Sequence, residues 1–564
     1  MNSKKQSSFG LILGYLGLFL VFEGLVVAIP LLTLAFYPSE WKGVLDFAIP
    51  SGSAIVLGLI LYFVFGFQKP KGRLKKNEDA LLLFLIWLFA VLLGALPFFL
   101  TQFPLINFKD PSMNLDMSFT ESCFESISGY ATIGLTVFPS KAYLVAEGGV
   151  ASDICPTFGA AHLFLFHRAW LQFVGGIGLI LIVTSVISSK NNFRLYFAEG
   201  HSDKIVPNLA KSAKIIFLVY TGWVLIGSFA LWLSGMSPFD SLCHAMGALA
   251  TGGFSTRAAN VNFYSNYGIW NGVYSVSSPI AMETVLCVLM LAGSTNFLLH
   301  TFLLRGKLKV FFKDIEVKFA FVLFVFATLL ASFSIAYLYR EDPYAASGDG
   351  LDLGNSFRYG FFLACTSLST TGYNNFADVR CLGEVGVFVS WILMTVGGGM
   401  GSTGGGIKQY RVALLFKEFY WSIKYKNSNK KTLNPRVVTH LGEEKEADPS
   451  VTAEARNYAL LYLSVFVLGS LGLMFFPNIG FDTAFNEFMS AFSSEGLAFI
   501  DFASYKANNP LGCYHGILVI LNIGMFLGRL EILPVYFAFH RVFVDPIENA
   551  LEKRKHARKF QELE

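Results

Sequence analysis

The feature that most constrains this chain is a five-residue pattern repeated four times between long apolar runs. "ATIGL" (131–135), "ATGGF" (250–254), "STTGY" (369–373) and "SSEGL" (493–497) align without gaps. Each reads small residue, Thr or Ser, variable residue, Gly, bulky apolar residue. The glycines Gly134, Gly253, Gly372 and Gly496 are 119, 119 and 124 residues apart. Each pattern follows a short, largely apolar segment: "FTESCFESISGY", "FDSLCHAMGAL", "FRYGFFLACTSL" and "FDTAFNEFMSAF". Such segments are too short to cross a bilayer, which takes about 20 apolar residues. Each stands between two long apolar runs, so the predicted unit is helix, half-helix, Gly-Thr loop, helix, four times over.

The long runs cover 9–36, 51–67, 80–100, 162–187, 213–234, 280–304, 317–338, 384–396 with its continuation, 457–476 and 514–540. Only 15% of the residues are charged, against roughly 25% in a soluble domain. The expected fold is an all-α polytopic membrane protein: two N-terminal spans plus four fused helix–pore loop–helix units around one central pore. The expected segments are 1–79 for the N-terminal spans and their basic loop, 80–212, 213–316, 317–453 and 454–540 for the four units, and 541–564 as a tail. Of the 43 Lys and Arg, 33 fall in six segments that would face one side. By the positive-inside rule that side and both termini are cytoplasmic. Basic residues spread over six membrane-flanking segments argue against a nucleic-acid partner.

Non-helical backbone at membrane depth survives only inside protein or along a water-filled path. Four such loops, one per unit, would meet on a common axis, where backbone carbonyls can replace a cation's hydration shell. Glycine accepts positive φ and so lets successive carbonyls aim inward. Thr132, Ile133, Gly134; Thr251, Gly252, Gly253; Thr370, Thr371, Gly372; and Ser494, Glu495, Gly496 are the predicted filter residues. Each half-helix would aim its partly negative C-terminal end at the ion. Glu495 is the one charge in the four loops, expected either behind the filter or beside the ion path. Glu125 and Glu487 stand nine residues before their glycines, with His244 in the same place in the second unit, and could anchor the filter by hydrogen bonds.

"TVGGGMGSTGGGIKQY" (395–410) packs seven glycines into Gly397–Gly406. It is not a nucleotide loop: Ile407 separates the last glycine from Lys408, Gln409 follows, and a membrane span precedes it. The predicted role is a gate below the third filter loop: Gly397, Gly398, Gly399, Gly401, Ser402, Thr403, Gly404, Gly405, Gly406 and Lys408, held in part by Arg529. An ionisable residue such as Arg529 within an apolar run marks function by default; pairing with Glu531 is the plain alternative.

The pattern resembles the Trk/Ktr/HKT superfamily of potassium transporters over residues 80–540. "WLQFVGGIG" (170–178), "GSTNFLLH" (293–300), "GGGMGSTGGGIK" (397–408) and "MFLGRLE" (525–531) are similar to its signatures. The two extra N-terminal spans resemble the TrkH-like branch. The resemblance implies potassium uptake across a bacterial inner membrane, K+ as the transported ion with no organic cofactor, a homodimer, and a cytosolic nucleotide-binding (TrkA-like) regulatory ring. It also implies potassium preference from Gly134 and a pore-facing Arg529. No enzymatic activity is expected. Sodium- or proton-coupled uptake through the same architecture stays open. Coupled carriers with inverted halves and the four-fold subunit of a potassium pump fit the quoted signatures less well.

The polar loop 421–456 is the first expected docking site for a regulator and the tail 541–564 the second. His162, His167 and Arg168 are expected to flank a span, and "GNSFRYG" (354–360) and "NNPLG" (508–512) to be loops. Cys123, Cys155, Cys243, Cys287, Cys365, Cys381 and Cys513 show no metal-ligand spacing.

Overall fold

The computed structural model describes residues 8–66, 77–106, 108, 110–147, 150–155, 157–178, 209–267, 278–338, 353–376, 382–427, 436–545 and 547. The basic residues Lys69 to Lys76 and Lys190 to Lys204, residues 428–435 of the expected docking loop, residues 546 and 548–564 of the tail and Cys381 lie outside them. Among the described residues, seven helices are long and apolar enough to cross a membrane: Phe9–Ala35, Pro38–Phe65, Glu78–Leu100, Ala213–Leu233, Ile315–Tyr337, Pro449–Met474 and Leu511–Leu530. An eighth is the pair Pro279–Ser294 and Phe297–Leu304. Two further expected spans are present as shorter helices, Ala161–Ile177 and Gly383–Val396. The chain is a multi-pass, predominantly helical membrane protein. Its apolar side chains face outward as well as inward, as a lipid solvent allows; Phe36, Phe326 and Leu468 are examples.

The four short segments fold as helices Phe119–Tyr130, Pro238–Leu249, Leu353–Ser369 and Phe481–Phe492. The first opens on a capping box, in which Ser118 Oγ accepts from Glu121 N and Glu121 returns a bond to Ser118 N. The second opens on Ser237 with Pro238 at the first helical position. All four run straight into the repeated pattern. "GNSFRYG" is not a loop: it lies within Leu353–Ser369, since its apolar and aromatic residues continue the helical face.

The helix after each pattern is broken. Ala161–Ile177 ends at Gly178, with φ +89°. The run read as one span over 280–304 turns by 111° between Ser294 and Phe297. Gly383–Val396 ends at Gly397, with φ +71°. The run 514–540 breaks at Glu531, with φ +59°, between Leu511–Leu530 and Ile532–Phe539. Apolar length hid three of these four breaks. Each coincides with one of the four signature stretches.

Two small hairpins flank the bundle, Val145–Glu147 with Val150–Ile154 and Val437–His440 with Glu443–Glu446. The second lies between the helices Gln409–Asn427 and Pro449–Met474, within the expected docking loop. The six described cysteines are free.

Candidate functional site

The four repeated loops meet in a ring. A Cβ placed on Gly134 would strike the carbonyl oxygen of Gly252, one on Gly253 that of Thr371, one on Gly372 that of Glu495, and one on Gly496 that of Ile133. The order is cyclic and closed: first, second, third, fourth, first. Only glycine permits this approach, and each of the four has φ between +77° and +96°. Two residues earlier, Thr132, Thr251, Thr370 and Ser494 take φ between +52° and +62°. Four non-glycine residues in the left-handed region at one register are strained positions, of a kind that persists where function demands it. Every named filter residue is therefore brought to one place.

The ring is braced from behind by polar groups. Glu125 Oε2 accepts from Val137 N (3.1 Å) and its oxygens from Thr136 Oγ1 (2.9 and 3.1 Å). Glu487 Oε2 accepts from Phe499 N (2.7 Å) and Ile500 N (2.8 Å). Val137 and Phe499 each lie three residues beyond their filter glycine. His244 Nε2 stands 3.0 Å from Ser255 Oγ in the second unit. The three residues at the position nine before the glycine thus hold the chain leaving the ring.

Their partners were not legible in the sequence. Arg168 is buried and does not merely flank a span: its Nε donates to Glu125 Oε1 (2.7 Å), one Nη to Ser255 O (3.0 Å) and the other to Thr136 Oγ1 (2.9 Å). Arg257 pairs with Asp240 (2.7 Å) in the second unit. Arg358 pairs with Glu283 through two bonds (2.6 and 2.7 Å), and Asn375 Nδ2 donates to the same carboxylate (3.1 Å). Gln172 Nε2 donates to Gly252 O (2.5 Å), and its Oε1 accepts from Phe254 N (3.2 Å). Only the "WLQFVGGIG" signature hinted at Gln172.

Glu495 turns its side chain behind the ring, where Ser390 Oγ donates to Oε1 (3.2 Å) and Ser367 Oγ lies 2.9 Å from Ser390 Oγ. Its backbone carbonyl is the group that faces Gly372.

The glycine-rich stretch folds as a loop beneath the ring. Gly399 N donates to Ser294 O (2.8 Å) and Thr403 N to Gly293 O (3.1 Å), docking it on the break in the second unit. Gly405 N donates to Thr370 Oγ1 (2.7 Å), and Thr403 Oγ1 lies 3.0 Å from Thr251 Oγ1, so two hydroxyls of the filter register hold it from above. Gly398 N donates to Gly405 O (3.2 Å) across the loop. Gly397, Gly401 and Gly406 have positive φ, as does Lys408 at +86°. Gly404 and Gly405 pack so closely on Ser369 O and Ser493 O that no side chain would fit without displacement. Ser402 Oγ donates to Gly399 O (2.6 Å). The Lys408 ammonium donates to Gly404 O.

Arg529 reaches the glycine-rich loop. It donates to Thr403 O (2.9 Å) on the loop and to Gly175 O at the end of the first broken helix. Glu531 takes two bonds from Arg411 (2.9 and 3.1 Å), at the start of the helix that leaves the loop.

On one side of the ring a cavity of about 910 Å³ reaches Gly134, Gly372 and Gly496, with Asp116, Glu121, Lys141 and Lys506 in its wall. On the other, only about 50 Å³ lies between Ser494, Gly404–Gly406, Lys408 and Arg529. The arrangement is an open vestibule, a ring of carbonyls, and an obstructed passage beneath it.

The chain is similar to known cation transport proteins. The family model described as "TrkH: Cation transport protein" matches residues 157–545. The "Trk system potassium uptake protein TrkH" of Escherichia coli (strain K12) is 27% identical over 508 residues, 87% of this chain and 90% of that protein. An "uncharacterized cation transporter" of Methanocaldococcus jannaschii is 26% identical over 536 residues, 94% of this chain and 95% of that protein. The crystal structure of the potassium transporter TrkH from Vibrio parahaemolyticus superimposes with a TM-score of 0.71 at 23% identity, covering 94% of this chain and 98% of that one.

Proposed function

Because this chain belongs to the TrkH family of cation transport proteins, we propose that it carries potassium into the cell through the central pore. The observation that carries this reading is the closed ring of four loops, each with glycine at φ > 0 against the next loop's carbonyl. A potassium ion losing its water needs several inward carbonyls and no fixed carboxylate. The ring supplies carbonyls from Thr132 and Ile133, Thr251 and Gly252, Thr370 and Thr371, and Ser494 and Glu495. Helix C-termini add partial negative charge on the same axis.

Gly397–Gly406 is the gate in this reading, closed when seated beneath the ring. The loop crosses the passage below the filter, and Arg529 places a positive charge beside it while holding Thr403 O. The helix Gln409–Asn427 leaves the loop directly, with Arg411 bound to Glu531 at its start. A pull on that helix would draw on Lys408 and unseat the loop. We assign the pull to a cytosolic nucleotide-binding regulatory subunit docking on 421–456, with 541–564 as a second contact. We further assign the chain to a homodimer in the inner membrane of a bacterium, with both termini cytoplasmic.

The test is flux from liposomes that contain the purified chain and a potassium gradient. Passive potassium flux well above sodium flux is expected. Flux that requires a sodium or proton gradient would replace the passive mechanism with a coupled one.

A further inference from the structure

Away from the pore axis, three ligand-bearing side chains from separate positions converge. Asp314 precedes the helix Ile315–Leu338, Glu316 lies in its first turn, and His440 ends the strand Val437–His440. They are 0%, 2% and 4% exposed. One ligand atom from each lies within 4.8 Å of the others. Asp314 Oδ1 accepts from Glu316 N (2.8 Å) and Oδ2 from Leu441 N (2.8 Å), while His440 Nδ1 stands 3.3 Å from Oδ2. The Tyr410 ring lies 4.5 Å from the imidazole. Glu316 Oε1 accepts from Met400 N (2.8 Å), inside the glycine-rich loop. Glu316 Oε2 points toward Gly399, whose Cβ would meet it at 3.1 Å.

Two carboxylates in so closed a pocket need positive charge, since an uncompensated buried charge costs several kcal/mol. A protonated His440 would balance one. Lys408 is within electrostatic range of Glu316 and also donates to Gly404 O. A cavity of about 160 Å³, lined in part by Asn296, Phe311 and Gln409, opens onto Glu316 and offers an entry path.

We propose that Asp314, Glu316 and His440 form a divalent transition-metal site that clamps the cytoplasmic hairpin to the glycine-rich loop. Mixed imidazole and carboxylate donors suit Zn²⁺ and its neighbours, whereas Mg²⁺ and the alkali cations favour all-oxygen shells. Zinc bonds of about 2.0–2.2 Å put tetrahedral ligands roughly 3.4 Å apart. Side-chain shifts of about 1 Å would therefore close the site, with water as the fourth ligand. With Oε2 on the metal, Oε1 keeps the Met400 N–H. Occupancy then ties loop residues 399–401 to the hairpin through Glu316 and holds the loop seated. The regulatory half of this proposal rests on the gate reading above; the site itself does not.

The probe for the site is Co²⁺ added to the metal-stripped full chain in detergent, followed by Zn²⁺ displacement. The wild type should show the visible bands of a low-symmetry cobalt centre and bind one equivalent more than His440→Gln or Asp314→Asn. Equal stoichiometry in wild type and in both folded variants, each checked by its elution profile, would overturn the site. For the clamp, micromolar Zn²⁺ should lower potassium flux by on the order of fivefold or more in the wild type and leave His440→Gln unaffected. Zinc bound at the site with flux unchanged would overturn the clamp. The cobalt titration reads the site whether or not the chain carries flux.

Discussion

Gly496 leaves open the space that the Ile133 carbonyl occupies, and this contact joins the last loop of the chain to the first. It closes a ring whose members are about 120 residues apart in sequence, so the filter has no free end. A methyl group at Gly496 would have to displace that carbonyl and would sit at φ +87°. Left-handed backbone costs an ordinary residue roughly 1–2 kcal/mol. Gly496→Ala should lower potassium-over-sodium discrimination by about tenfold, equivalent to about 1.4 kcal/mol. Rubidium, potassium and sodium fluxes in liposomes measure it; an unchanged ratio would show that this carbonyl does not contact the ion.

Arg168 and Glu125 form an ion pair that is out of contact with solvent. Arg168→Met would leave the carboxylate buried without its cation, a loss of roughly 3–5 kcal/mol. Its melting temperature in detergent should fall clearly. Arg168→Met with Glu125→Gln should recover part of the loss, because the buried charge is then gone. Equal melting of the single and double variants would mean the pair contributes nothing beyond its separate bonds.

Arg529 lines the cavity of about 50 Å³ beneath the ring. An ion passing at about 5 Å in an effective dielectric of about 20 meets a barrier of about 3 kcal/mol. Arg529→Ala removes that barrier and the bond to Thr403 O, so potassium flux should rise tenfold or more. Flux at the wild-type level would remove Arg529 from the gate.

Shortening the glycine-rich loop by removing Met400–Gly404 takes out the bonds to Glu316, Gly293 and Arg529 together. Flux should become high without a regulatory subunit, read as single-channel open probability in planar bilayers. A deletion protein that folds and conducts as the wild type does would refute the gate.

Glu495 places its backbone carbonyl in the ring, and its side chain accepts from Ser390 Oγ. Glu495→Gln keeps a hydrogen-bonding group there, and cation selectivity should stay within about twofold. Glu495→Ala removes the carboxylate partner of Ser390, which keeps Ser367 Oγ, and should destabilise by roughly 1 kcal/mol. Selectivity that collapses in Glu495→Gln would place the carboxylate on the ion's route.

The repeat, the apolar runs and the glycine-rich stretch were legible because they depend on local chemistry. An 18-residue apolar run is read from its own residues, and glycine permits positive φ wherever it stands. The sequence alone therefore determined a four-unit membrane fold, the register of the four loops and the one stretch unable to continue as a helix. Tertiary structure decided the rest. Arg168 finds Glu125 across 43 residues, Gln172 finds Gly252 across 80, and Glu316 finds Met400 across 84. No periodicity encodes such pairs, because a charged side chain in a membrane protein is stabilised by whichever partner the packed helices bring to it. The breaks at Ser294 and Glu531 were hidden for a related reason. The Ser294 carbonyl is satisfied by the glycine-rich loop and the Glu531 carboxylate by Arg411, neighbours that exist only once the four units have closed into a ring.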